Sequence, residues 1–132
     1  MKKIMSLILC IVAMVCMACG SKTASTAEYD KLKAEVMPVI SNEANVKFWA
    51  NTPDISDLFG AKITQWDVNV VAKKVSVRRA ELARVQPKIE ELRKLSGASK
   101  ELKKDFEDDV VWSLDRCNAS VEFNEINVKR NS

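Results

Sequence analysis

The chain has 132 residues, 30% of them charged, with 21 basic against 18 acidic side chains and no histidine. The missing histidine removes the commonest general base and the commonest transition-metal ligand. A net charge of only +3 lacks the basicity of a nucleic-acid binder.

Met1-Lys2-Lys3 opens the chain, an apolar run from Ile4 to Ala18 follows, broken only by Ser6, and Cys19-Gly20-Ser21-Lys22 comes next. A charged start, an apolar middle and a small-residue exit make an export signal. The run is too short for the roughly 18 to 20 apolar residues that cross a bilayer as a helix. At Cys16-Met17-Ala18-Cys19 the chain resembles the bacterial lipoprotein family, with Ala18 as the small residue before the cysteine and Cys16 where the family usually has leucine. Ordinary secretory cleavage after Gly20 is the competing reading. The resemblance implies that residues 1–18 are removed and that Cys19 is lipidated, anchoring the protein to a bacterial membrane, the outer one where there are two. It covers only this N-terminal stretch.

Residues 19–132 then hold 19 basic against 18 acidic side chains, net +1, and keep only Cys19 and Cys117 of the four cysteines. With Cys19 acylated, Cys117 has no partner within the chain, so packing and not a disulfide must hold the fold. Residues 19–25 are small and polar and read as a tether, followed by one domain over 26–132.

Ser25 and Glu28 have capping-box spacing. Tyr29, Leu32, Val36, Ile40, Ala44 and Phe48 then recur at helical intervals and predict a helix near 26–50, kinked at Pro38. Thr52-Pro53-Asp54 has the form of a second helix start. Ile55, Leu58, Phe59, Ile63, Trp66 and Val70 continue it, then Leu82, Val85, Ile89, Leu92 and Leu95, until Ser96-Gly97 ends the segment. Pro87 predicts a kink or restart in this middle helix. Over 66–78 apolar residues also alternate with polar ones, the pattern of a strand. A hairpin there is the alternative, but Ala72-Lys73-Lys74 contains no tight-turn residue. Ser99 caps a last helix whose stripe runs Leu102, Phe106, Val110, Leu114, Cys117, Val121 and Val128. The expected fold is all-α, a three-helix bundle with a kinked middle helix; the alternative is α+β.

Residues 28–58 hold three basic and six acidic side chains, residues 59–104 twelve and five, residues 105–132 three and seven. A basic middle between acidic flanks suits antiparallel helices with complementary rims.

Residues 19–132 hold no CxxC pair and no glycine-rich phosphate loop. Cys117 lies in an apolar stripe and reads as a small hydrophobe. Asp105, Glu107, Asp108 and Asp109 lack the alternating spacing and glycine turn of a calcium loop and read as a solvated face. Asn118-Ala119-Ser120 matches a glycosylation sequon, but the bacterial export signal and its mid-helix position discount it. No catalytic residue, metal site or cofactor is expected. Lys73, Lys74, Arg78 and Arg79 form the densest basic patch, a candidate contact for anionic lipid. Trp49, Trp66 and Trp112 are a candidate partner surface, against core packing at helix ends. The function expected is a membrane-anchored, non-enzymatic envelope lipoprotein that binds another envelope protein as subunit, adaptor or inhibitor; the alternative is a carrier or sensor of a small apolar ligand. An enzyme working on carboxylates alone is the remotest reading.

Overall fold

The computed structural model describes residues 17–132, with side chains from Thr26 onward. Most of the expected export signal lies outside the described residues, as does the Cys19 side chain. Five helices follow: α1 (Met17–Ile40), α2 (Asn42–Trp49), α3 (Gln65–Ser96), α4 (Lys100–Asp105) and α5 (Trp112–Arg130), with a π-helical segment at Phe106–Val111 joining the last two. They make three legs: α1 with α2, α3 alone, and α4 with the π segment and α5. The backbone of α1 takes in residues 19–25, which composition assigned to a tether.

The bundle is all-α, and the residues expected as an alternative hairpin, 66–78, are helical throughout. α3 shows why. Val68, Val71, Val75, Arg78, Leu82, Val85, Ile89, Leu92 and Ser96 are its buried positions, and their spacing alternates three and four, one continuous helical stripe. The period-two pattern came from adding Trp66, Val70 and Val77, which fall outside that stripe; Trp66 and Val77 are exposed.

The bend in the bundle falls in the first leg. Pro38 cannot donate a hydrogen bond to the preceding turn, and at Ser41 the backbone leaves helical geometry (φ −56°, ψ 156°). Ser41 then restarts the helix, its Oγ accepting from the Ala44 N–H at 3.1 Å. The middle helix, by contrast, runs unbroken through Pro87. Pro87 and Ala83 are both on the exposed side, so the carbonyl that the proline leaves without a donor does not have to be buried in the core.

The expected helix start at Thr52-Pro53 does not form. Asp54 instead accepts from the Ser56 N–H at 2.9 Å and from its hydroxyl at 2.6 Å, and the Ser56 Oγ accepts from the Leu58 N–H at 3.3 Å. Such side-chain turns compete directly with a helix. Asn51 and Asp57 adopt positive φ, as does Gly60 at +69°, where a side chain would be strained. The true start is a capping box: Thr64 Oγ1 accepts from the Asp67 N–H at 3.1 Å, and Asp67 Oδ2 from the Thr64 N–H at 3.0 Å. The loop between α2 and α3 closes one end of the bundle, burying Ile55, with its carbonyl bound by Asn131 Nδ2 at 2.9 Å and that of Ser56 by the Arg130 guanidinium.

Legs one and three run parallel, with α3 antiparallel between them. Tyr29 meets Asp105 and Asn45 meets Ser120 along the parallel pair. Arg79 meets Glu125 and Glu35 meets Lys88 across the antiparallel ones. The last two pairs join the basic middle to its acidic flanks as expected. Asp105 and Asp109, however, bind Lys33 of α1, at 2.9 and 2.5 Å.

Leu102, Phe106 and Val110 recur every fourth residue and are all buried. A regular α-helix would carry that spacing progressively off the core, because its period is 3.6. The π turn accommodates one extra residue and brings Ser113, Cys117 and Val121 back inside.

Candidate partner-binding groove

Where the first leg bends, α2 leans across α5 and leaves an open groove of about 660 Å³. Asn42, Asn45, Val46 and Trp49 line it from α2; Arg116, Ala119, Ser120, Phe123 and Asn124 line it from α5. Val46 and Phe123 are 62% and 52% exposed. Trp112 is 50% exposed one turn before Arg116, whose guanidinium stacks on its ring at 4.7 Å from the centroid. Ile126 is exposed on the far side of Phe123. Trp112, Arg116, Ala119, Phe123 and Ile126 are spaced four, three, four and three residues apart, so α5 carries a second helical stripe beside the buried one.

Two buried polar atoms of groove-lining residues have no hydrogen-bond partner among the described residues. Asn45 donates through Nδ2 to Ser120 Oγ at 3.0 Å, but its Oδ1 is buried and unmatched. Trp49 Nε1 is likewise buried without an acceptor. Buried polar groups are nearly always paired, so these two are internal costs of the α2–α5 packing.

Of the three tryptophans, Trp49 and Trp112 belong to this region. Trp66 does not line it; it stands in the first turn of α3, 69% exposed. The basic residues expected to touch lipid are divided. Lys73 is exposed. Lys74 Nζ caps the end of α2, donating to the Phe48 carbonyl at 3.2 Å and to Thr52 Oγ1 at 2.9 Å. Arg79 holds Glu125 in a two-pronged pair at 2.8 and 2.9 Å. Arg78 is only 2% exposed, with its guanidinium 5.2 Å from the Phe48 ring centroid. It points into the bundle and cannot meet a membrane.

The sequence reading missed Asn45, Val46, Arg116 and Phe123. The second stripe on the last helix was their signal, overlooked because the first stripe already accounted for a core.

Cys117 is fully buried, as its place in the stripe required. Burial pushes its thiol above the usual range, and the Arg78 charge offsets part of that rise. A thiol held protonated is a poor nucleophile. Among the described residues no group of three cysteine or acidic side chains could hold a metal ion, and no helix is long and apolar enough to cross a membrane. The chain matches no protein-family model, and comparison with curated proteins and with solved structures found no match.

Proposed function

We propose that this protein is a lipid-anchored, non-enzymatic interaction module of the bacterial cell envelope, which holds another envelope protein in the groove between α2 and α5. The groove carries the proposal: an open, mostly apolar surface flanked by the exposed Val46, Trp112, Phe123 and Ile126 is one that a partner covers. Its openness favours a macromolecule over a small apolar ligand, which needs an enclosing cavity to bury most of its surface. Support for the anchor comes from the charged start, the apolar run and Ala18-Cys19.

Two measurements test the proposal. Intact mass of the membrane fraction should show a protein beginning at Cys19 and carrying acyl chains, and Cys19→Ala should leave the membrane; a Cys19→Ala form still held there removes the anchor. Cross-linking of the full-length protein in its own cells should recover one recurrent protein, lost with Trp49→Ala or Trp112→Ala and kept with Trp66→Ala. A co-purifying lipid or small molecule without a protein partner would make the protein a carrier instead.

A further inference from the structure

Resting on the interaction reading above, we infer that the occupant of the groove is an amphipathic helix of the partner protein that brings an acidic side chain to Arg116. The shape selects a helix. The stripe from Trp112 to Ile126 spans about four helical turns, roughly 21 Å, and α2 walls its central part through Val46 and Trp49. A third helix laid there meets apolar residues at its own three- and four-residue spacing. An extended segment would find no strand edge among the described residues to take its backbone groups, and each would be left unpaired.

Charge selects the acidic residue. Among the described residues Arg116 is the one charged side chain lining the groove. It forms no ion pair among the described residues, and its guanidinium rests on the Trp112 ring. An apolar partner lying across it would bury that charge without a counter-charge, which is unfavourable, whereas a carboxylate meets the guanidinium fork in its preferred two-pronged geometry. Ala119, one turn further along the stripe, leaves space for a large apolar residue of the incoming helix.

The test uses a photoreactive phenylalanine analogue placed at Ala119 or Phe123 of the full-length protein in its own cells, with Lys73 and Ala80, both exposed on α3, as control sites. The cross-linked peptide is then sequenced. The expected result is one peptide with apolar residues at three- and four-residue spacing around an Asp or Glu, captured from the groove sites and not from the controls. Arg116→Glu should lower the yield about tenfold or more, and replacing the partner's acid by Lys should restore it. Circular dichroism confirms that the variant is folded; should Arg116→Glu unfold, Arg116→Gln is to give the same direction of loss. Adducts to lipid, to a second copy of this chain or to a peptide without a carboxylate overturn the inference, as does a yield indifferent to Arg116. Capture of a protein from the control sites alone would end the groove assignment while leaving the interaction module standing. Absence of protein adducts from every site would end both.

Discussion

The thiol of Cys117 donates to the carbonyl of Ile40 at 3.1 Å, joining the last leg of the bundle to the point where the first one bends. The bond follows from the bend itself. In an unbroken helix the Ile40 carbonyl would accept from Ala44, but the Ala44 N–H is taken by Ser41 Oγ, so a carbonyl is freed inside the core and Cys117 meets it. Arg78 lies alongside, its guanidinium donating to Cys117 Sγ at 3.3 Å.

Replacing Cys117 by Val keeps an apolar side chain of similar size but leaves the Ile40 carbonyl without a partner. A loss of about 1–3 kcal/mol is expected in urea unfolding, with Cys117→Ser, which keeps a donor, losing less of this hydrogen-bond contribution. Equal stability of Cys117→Val and the parent protein would show that the bond contributes nothing.

Arg78 occupies a core position of the α3 stripe, yet its Nε has no partner and its ion pair with Glu81 is a loose 3.7 Å. Much of its contribution is then the packing of its stem. Arg78→Met, which preserves that stem, should change stability by less than about 1.5 kcal/mol. Arg78→Ala opens a cavity and should cost about 2–5 kcal/mol. Equal, large losses for the two variants in denaturant titrations would mean that the guanidinium's polar contacts dominate.

Stability should fall at both ends of the pH scale. At the acid end, burial pushes Asp105 up, but hydrogen bonds from Lys33 and Tyr29 outweigh it and hold its carboxyl below the ordinary 3.8; the Arg79 hydrogen bond likewise holds Glu125 below 4.5. Groups depressed in the folded state stabilise it above their unfolded values, and this is lost as pH falls through the folded ones. At the alkaline end, burial holds Cys117 above 9.0 and, with the Asp105 hydrogen bond, Tyr29 above 10.0. Burial alone would lower Lys33, but Asp109 and Asp105 hold it above 10.5. Groups raised in the folded state stabilise it below their unfolded values and stop doing so as pH rises. Thermal melts should therefore show a plateau between about pH 5 and 9. Cys117→Val should delay the onset of the alkaline decline and Asp105→Asn should flatten the acid limb; an unchanged profile in both variants would refute the assignment.

The capping box decides where α3 begins. Thr64→Ala removes the acceptor for the Asp67 N–H and should cost about 1 kcal/mol. Thr52→Ala, at the start expected from sequence, should cost less, because Thr52 only receives Lys74 Nζ. Amide exchange in the first turn of α3 provides the local readout: faster exchange at Asp67 and Val68 in Thr64→Ala is expected, and protection unaffected by that change would argue that packing alone sets the boundary.

Much of this architecture was readable from residue spacing alone, because a helix with one buried face repeats its apolar residues at the period of its own geometry. Tyr29, Val36 and Ile40 in the first leg announced themselves in this way, as did Leu82 to Leu92 in the second and Phe106 to Val121 in the third. So did the burial of Cys117. Three features had to wait for the tertiary structure. Residues 52–64 have the composition of a helix start, but short-range bonds from Asp54 and Ser56, with the docking of Ile55 under Asn131, made a loop more favourable than a helix. Arg78 counted as surface charge because arginine is seldom buried, while its stripe position placed it in the core, where the Phe48 ring, Cys117 and Glu81 surround it. The groove arises from two helices crossing after the bend at Ser41, so Asn45, Trp49, Arg116 and Phe123, far apart in sequence, become neighbours only when the third leg lies beside the first. Periodicity reports which face of a helix is buried; which exposed faces lie side by side depends on how the helices pack.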